Sequence, residues 1–342
     1  MINFFIPCWI VIVVKKLSDI GEREAIRQIE RILTKGKNTS GIGDDCATIS
    51  LGNEYLLVTT DMMSQRTHIP PQMTAYQMGW FLVAINLSDI AAKGGIPLGV
   101  VCSFGLPRNT SEGFLRDLVI GADTCAVTFG TTIVGGDTKE SPEITCCGTA
   151  FGRVKKTEFM ARAGAHPGDV VAVTGTLGKA AAGYYALRQK HPARKLTQGF
   201  LEPIPRLREG RLLAQLRCVS SSMDISDGLS SSLYQLQELN TVGFEIKKHA
   251  LPLAKGLSSL SPAQTKHDPS SLALHFGGDY ELLVTLPADR LEAAQKTLKR
   301  DGSTLTAIGC VTKKKDIILV DGERKTTLAN KGYEHFKKHS FV

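Results

Sequence analysis

The sequence predicts an α/β fold in two blocks, and three observations carry that expectation. Short apolar runs of strand length alternate with longer stretches in which apolar residues recur at helical spacing. A Gly-rich, polar stretch from Arg153 to Gly168 separates the first set of such runs from the second. At 342 residues and 42% hydrophobic content, the chain can build one large or two medium domains with real cores.

Residues Met1 to Val14 are almost wholly apolar and are followed by Lys15 and Lys16. That run is too short to span a bilayer, and a secretory signal would place its charges first and a small-residue cleavage site after. The expectation is that the native start is Val13 or Val14, read from a GUG codon, with residues 1–15 a non-native or disordered extension. From Ser18, Ile26, Ile29 and Leu33 recur among Glu22, Arg23, Glu24, Arg27 and Glu30, which predicts an amphipathic helix ending near Gly36. Tyr55 to Val58 predicts a short strand that delivers Thr59, Thr60 and Asp61 at its end.

Trp80 to Ala92 predicts a buried helix stopped by Gly94, with Asn86, Asp89 and Lys93 on one stripe. Such a stripe is most often a helix's wet face. Here Phe81, Leu82, Val83, Ile85, Leu87 and Ile90 leave little other wet surface, so a metal site stands beside that reading. Thr131 to Val134 predicts a strand running into Gly135, Gly136 and Asp137, where glycines admit a ligand to the backbone and the carboxylate can meet a metal. Asp169 to Thr174 predicts a strand and Lys179 to Leu187 a helix. The Gly175-Thr176-Leu177-Gly178 loop between them could hold phosphate at the helix N-terminus. It is no P-loop, because Val173 replaces the first glycine and Ala180 the Ser/Thr; GIGDDC also fails the dinucleotide fingerprint, with Cys46 in place of the third glycine. Met223 to Ile225 predicts a strand, and Leu229, Leu233 and Leu236 a helix for which Ser226 or Asp227 would be the N-cap.

The net charge of +8 comes from dispersed basic residues, without the basic-aromatic motif of a nucleic-acid module, so no nucleic-acid partner is expected. The basic residues near the C-terminus, Lys313 to Lys315, Lys325, Lys331, Lys337 and Lys338, predict a solvated face. Eight cysteines show neither CxxC pairs nor Cys/His ligand spacing, which excludes a zinc module and a disulfide framework and suits a reducing cytosol. Cys146 and Cys147, adjacent on a strand, would point to opposite faces.

Six aspartates, Asp45, Asp61, Asp89, Asp137, Asp224 and Asp227, stand just past apolar runs or in Gly-rich turns. Acids gathered at such points are a usual source of hard oxygen ligands for Mg²⁺ beside a phosphate. Phosphoryl transfer needs positioning and charge neutralisation more than a protein nucleophile, and no Ser-His-Asp or Cys-His signature is evident. The residues alone predict a metal-dependent phosphate enzyme.

The motifs Gly41-Ile-Gly-Asp-Asp-Cys-Ala, Thr59-Thr-Asp, Asn86-Leu-Ser-Asp, Gly135-Gly-Asp-Thr, Arg162-Ala-Gly-Ala-His-Pro-Gly-Asp, Asp224-Ile-Ser-Asp-Gly-Leu and Gly277-Gly-Asp-Tyr-Glu-Leu, in this order, resemble the thiamine-monophosphate kinase family. The resemblance runs from about Lys16 to Phe336 and includes Gly332-Tyr-Glu-His-Phe. It implies ATP-dependent phosphorylation of thiamine monophosphate to thiamine diphosphate, with several Mg²⁺ ions, in a cytoplasmic homodimer without a membrane partner. It also implies the two-domain α/β architecture shared with aminoimidazole-ribonucleotide synthetase, with an N-terminal sheet that pairs across the dimer into a barrel. The N-terminal domain would span residues 16–153 and the C-terminal α/β domain residues 154–342.

By position, the resemblance makes Asp45, Asp61, Asp89, Asp137, Asp224 and Asp227 metal ligands, with Thr59 and Thr60 completing one shell. Gly136, Asp137, Arg162 and Ser226 would contact ATP, and His68 the acceptor. Many family members carry Gly-Gly-Glu-Asp-Tyr-Glu where this chain has the shorter Gly277-Gly-Asp-Tyr-Glu, so Asp279 is the candidate for the substrate-binding Glu. An aromatic residue often packs on the substrate near the C-terminus; Asn330 stands there, and Tyr333 is the candidate replacement. No catalytic side chain is implied beyond the metal ligands. A sister enzyme of the same superfamily, selenophosphate synthetase-like or aminoimidazole-ribonucleotide synthetase-like, or a non-catalytic nucleotide-binding module, is the alternative.

Overall fold

The computed structural model describes residues 15–34, 36, 39–189, 193–257, 260 and 265–337; residues 1–14, with the expected extension and its alternative start, lie outside them, as does Lys338. The described residues up to Thr34, with those from Glu334 onward, form one compact unit, and the described residues between them another. In the smaller unit α1 (Leu17–Ile20) and α2 (Glu22–Ile32) are parted by Gly21 at φ +80°. The predicted helix is α2, and it stops short of Gly36 because Leu33 turns to extended backbone. Its apolar residues are not buried: Ile26 is 44% and Ile29 53% exposed.

In the larger unit, a first sheet joins β1 (Thr39–Ser40), β2 (Ala47–Leu51), β3 (Glu54–Ser64), β4 (Ile96–Leu106), β5 (Ile133–Glu140) and β6 (Thr145–Lys155) in the order β1-β2-β3-β6-β4-β5. All neighbours are antiparallel except β4 and β5. The helices α3 (Ala75–Ala92) and α4 (Glu112–Thr128) pack on each other, and α3 packs on the sheet. Thr74 and Gln77 cap α3 reciprocally, and its start before Trp80 follows from that capping box. Being apolar on nearly every side, α3 is buried. Leu82 and Ile90 of α3 and Leu57, Val100 and Ala150 of the sheet are fully buried, and each large side chain so placed contributes roughly 1.5–3 kcal/mol. Only glycine permits the close approach of α3 to α4, since a Cβ on Gly79 would stand 1.9 Å from the Leu118 carbonyl oxygen and one on Gly121 1.8 Å from that of Tyr76.

Two strands run further than their apolar cores predict. β3 continues past Val58 to Ser64, so Thr59, Thr60 and Asp61 lie within it, opposite Ala150, Thr149 and Gly148. Likewise β5 begins at Ile133 and carries Gly135, Gly136 and Asp137 inside an edge strand. Cross-strand hydrogen bonding holds these polar segments extended, a tertiary contribution that local apolarity does not report. Cys146 is buried and Cys147 half-buried on β6, as alternation along a strand requires.

The second sheet joins β7 (Val170–Thr174), β8 (Ser221–Asp224), β9 (Gly243–Lys247), β10 (Leu282–Leu286), β11 (Leu305–Thr312), β12 (Ile317–Asp321) and β13 (Arg324–Thr327) in the order β13-β12-β9-β11-β7-β10-β8. With it come α5 (Lys179–Leu187), α6 (Arg194–Leu201), α7 (Leu207–Leu216), α8 (Leu229–Asn240), α9 (Pro269–His275) and α10 (Leu291–Arg300). The cap of α8 is Gly228 at φ +95°, not Ser226 or Asp227. Lys313 to Lys315, Lys325, Lys331 and Lys337 are exposed, as the solvated-face expectation holds. The two sheets meet at α3: β8 and α7 pack against it, and a Cβ on Gly210 of α7 would stand 2.1 Å from the Ala91 carbonyl oxygen.

Candidate active site

Three acids from three elements converge at that seam. Asp45 lies in the turn after β1, Asp89 on α3 and Asp224 at the end of β8, and one carboxylate oxygen of each lies within 4.8 Å of the others. Two of them are oriented by neighbouring hydroxyls: Thr59 Oγ1 donates to Asp89 Oδ2 at 2.5 Å, and Ser88 Oγ donates to Asp224 Oδ2 at 2.6 Å. Alternation along β3 puts Asp61 on the same face as Thr59. Its backbone N–H donates to Asn86 Oδ1 at 3.1 Å, which ties β3 to α3.

The electrostatics divide the acids. Burial, then the charges of Asp61, Asp224 and Asp45, push the Asp89 carboxyl well above the usual carboxylate range. Burial and Asp45 push Asp224 up to about 7. Burial also acts to raise Asp45, but Arg162 and Lys93 outweigh it and hold that carboxyl below the usual range. Buried, mutually repelling carboxylates that supply only oxygen fit a hard divalent cation such as Mg²⁺.

Arg162, the expected ATP contact, holds the acid pair in this structure. Its Nε donates to Asp45 Oδ1 at 2.7 Å, Nη1 donates to Gln235 Oε1 at 2.9 Å, and its backbone N–H donates to Asp44 Oδ2 at 3.1 Å. Other expected residues gather nearby through the backbone. The Ser226 carbonyl accepts from Gly278 N–H at 2.6 Å, and the Asp227 carbonyl accepts from Tyr333 N–H at 3.0 Å. The SDG loop, the GGD turn and the C-terminal strand exit therefore adjoin one another. His68 stands in the turn after β3, its Nδ1 2.7 Å from Thr67 Oγ1. Asn330 is exposed.

Some expected residues are not brought together. Thr60 points to the opposite face of the first sheet, where its Oγ1 donates to the Gly148 carbonyl at 2.9 Å. Strand register puts Asp137 on that same outer face, in a row with Ser103, Cys147 and Met62, and its side chain is 59% exposed. Gly136 lies beside it on the edge strand. Within one chain, then, Thr60 and Asp137 do not point their side chains into the acid cluster, because alternate residues of a strand point opposite ways.

Asp279 does not stand where a substrate-binding acid would. Its carboxylate is turned inward, 3% exposed, and accepts from Gly178 N–H at 2.5 Å and Ala180 N–H at 3.0 Å. It therefore secures the start of α5 and is not presented to a substrate. The same contacts fill the position where the Gly175–Gly178 loop could have taken a phosphate. Burial pushes Asp279 up to about 6.

Several contributing residues carried no assignment from sequence. Lys93 is fully buried, with Nζ 2.5 Å from Asp44 Oδ1 and 2.7 Å from Asp45 Oδ2. A lysine four positions past Asp89 on an apolar helix was the available signal. Tyr280 adopts a left-handed conformation at φ +50°; burial, then the charges of Asp61, Asp224, Asp227 and Asp89, push its hydroxyl well above the usual range, which places it among the acids. Glu281 is fully buried and bonded to Arg206 (Nε 2.7 Å, Nη2 2.6 Å), Lys179 (2.5 Å) and Thr174 (2.7 Å).

Residues 43–154 match the family described as AIR synthase related protein, N-terminal domain, and residues 166–322 match AIR synthase related protein, C-terminal domain. Fold and site thus define an AIR synthase related protein. The thiamine-monophosphate kinase of Methanospirillum hungatei is 36% identical over 292 residues, 85% of this chain and 92% of its own. That of Pyrococcus horikoshii is 32% identical over 316 residues, 92% of this chain and 97% of its own. The solved structure of AaThiL complexed with AMPPCP and TMP superposes with a TM-score of 0.84 at 29% identity, covering 94% of this chain and 99% of that one. The chain belongs to the thiamine-monophosphate kinase family. No helix among the described residues is long and apolar enough to cross a membrane.

Proposed function

We propose that the protein transfers the γ-phosphoryl group of ATP to thiamine monophosphate, giving thiamine diphosphate by direct in-line displacement. The observation that carries this is the convergence of Asp45, Asp89 and Asp224 from elements of both sheets into one all-oxygen site, in a chain whose relatives bear the kinase name over nearly their whole length. Asp45, Asp89 and Asp224, with Asp61 and Asp227 beside them, would hold Mg²⁺, and when bound it neutralises charge on the transferring phosphoryl group. Thr59 and Ser88 keep two of these carboxylates in fixed orientation. Arg162, at the rim of the cluster, is placed to move between Asp45 and a nucleotide phosphate, as a planar guanidinium suits either oxyanion. Ser226 is read as a nucleotide contact, and His68 and Tyr333 as acceptor contacts, with Asn330 near the strand exit.

The homodimer accounts for the residues on the outer sheet face. That face exposes Ile49 (36%), Leu51 (57%), Met62 (61%) and Ile96 (40%), an apolar surface that a second copy would cover. Pairing of two such sheets into a barrel would enclose Thr60, Gly136 and Asp137 and bring them to nucleotide and metal. The domain division at 153/154, a cytoplasmic location and the absence of nucleic-acid and membrane partners complete the proposal. It is tested by incubating purified protein with γ-labelled ATP, Mg²⁺ and thiamine monophosphate. Labelled thiamine diphosphate is expected, with no label on the protein when acceptor is omitted; stoichiometric labelling of the protein would overturn direct transfer.

A further inference from the structure

Both oxygens of Asp45 are taken by cations. Arg162 holds Oδ1, with Nε at 2.7 Å, and Lys93 Nζ stands 2.7 Å from Oδ2. The Lys93 side chain is 0% exposed. An ammonium has three N–H donors and no acceptor; this one donates to Asp44 Oδ1 at 2.5 Å and to the Ser222 carbonyl at 2.9 Å, and it stands in ion-pair contact with Asp45 Oδ2 at 2.7 Å, a buried oxygen that receives no hydrogen bond. Those acceptors come from the turn after β1 and from β8, the two segments that deliver Asp45 and Asp224, while Lys93 itself follows α3, which delivers Asp89. A buried ion pair is weak evidence for added stability, because desolvation cancels most of the attraction. Its placement on one acid of a three-carboxylate site has a different consequence.

We propose that Lys93 is a resident cation of the acid cluster: a positioning residue that holds Asp45 by Oδ2 and supplies a positive charge there, and so sets how tightly the cluster takes a divalent ion. This rests on the cluster being a divalent-cation site, as proposed above. An ammonium a few ångströms from the site opposes an incoming dication and occupies a ligand oxygen. Replacing it with a neutral side chain of similar length removes both effects, so the cluster gains affinity for divalent metal even as Asp45 loses its fixed position. A lysine serving only as a structural tether gives the opposite sign, since its loss loosens the site and weakens metal binding.

The test titrates Mn²⁺, without nucleotide, into the full chain, with free Mn²⁺ followed by its electron paramagnetic resonance signal. Lys93→Met is expected to bind at least about tenfold more tightly than wild type, a charge effect of the size Coulomb's law allows at this range. Lys93→Arg, which keeps the charge, is expected to stay near wild type. In turnover assays Lys93→Met is expected to reach half-maximal rate at lower Mg²⁺ but with reduced kcat. Equal or weaker Mn²⁺ binding by Lys93→Met overturns the role of Lys93 and leaves the metal site standing. Binding by neither protein overturns both. Should Lys93→Met not fold, wild type labelled with ¹⁵N-lysine decides: a protected Nζ signal that persists at saturating Mg²⁺ is expected, and its loss on adding Mg²⁺ shows that metal displaces the lysine and overturns the proposal.

Discussion

Replacing Asp224 with Asn removes one charge from the acid cluster while leaving an oxygen to accept from Ser88 Oγ. Two unit charges 4.8 Å apart, the span that contains the three carboxylate oxygens, repel by about 3.5 kcal/mol at an effective dielectric of about 20. Proton linkage gives a similar size. The Asp224 carboxyl, raised from 3.8 to about 7, binds its proton more tightly in the folded state. Stability therefore falls as pH rises through that interval, by about 4 kcal/mol once pH exceeds the upper value. The metal-free Asp224→Asn protein is accordingly expected to melt higher than wild type at about pH 8, by roughly 2–8 °C for a few kcal/mol in a chain of this size. Turnover is expected to fall by about 10² or more, since the lost charge stands where phosphoryl charge must be neutralised. Thermal melts of both proteins in chelator from about pH 5 to pH 8 are the assay. The wild-type curve should descend and the variant's descend less. A wild type whose stability does not change across this range, or a variant less stable at the upper end, would refute the electrostatic account.

Further outcomes follow from the same geometry. Mg²⁺ with ATP at about 100 times the dissociation constant should stabilise wild type by roughly 2.7 kcal/mol, and Asp45→Asn or Asp61→Asn should lose both this shift and turnover while remaining folded by circular dichroism. Glu281→Gln strands Lys179 and Arg206 beside an uncharged buried partner and should cost about 3–5 kcal/mol in urea unfolding. His68→Ala should raise KM for thiamine monophosphate more than KM for ATP in initial-rate kinetics, and an equal rise in both would remove His68 from the acceptor site.

What the sequence disclosed, and what it hid, follows from the range of the forces involved. α5 was legible to its terminal residues, Lys179 and Leu187, because a Gly-bounded apolar run depends on local chemistry. Strand ends were not: β3 and β5 are extended through Thr-Thr-Asp and Gly-Gly-Asp by partners some 90 and 35 positions distant in the chain, Ala150 and Cys102. Consequently the direction in which each polar side chain points was hidden too. Thr59 and Thr60 looked equivalent as neighbours, yet one donates to Asp89 and the other crosses to the opposite face. Asp279 shows the same limit. Its motif resembled a substrate loop, but its carboxylate is claimed by N–H groups of Gly178 and Ala180, about a hundred residues earlier in the chain.

The acids themselves were legible because charge in an apolar setting is conspicuous, but their pairing with cations was not. Asp45 lies below the usual carboxylate range while Asp89 and Asp224 lie above it. That asymmetry arises from Arg162 and Lys93, which meet Asp45 at Oδ1 and at Oδ2 respectively. Asp45 and Asp224 are buried and Asp89 is half-buried, yet of the three Asp45 is the one with a cation at each carboxylate oxygen, and its carboxyl is held low while the other two are raised. The cluster therefore carries a graded demand for positive charge: Asp45 is already served by the protein, and Asp89 and Asp224 are held in readiness. A site of that kind would take divalent ions first at the Asp89 and Asp224 side. Asn substitution at Asp89 should accordingly weaken Mn²⁺ binding more than the same change at Asp45, and equal effects at the two positions would show that the resident cations leave Asp45 as available as its neighbours.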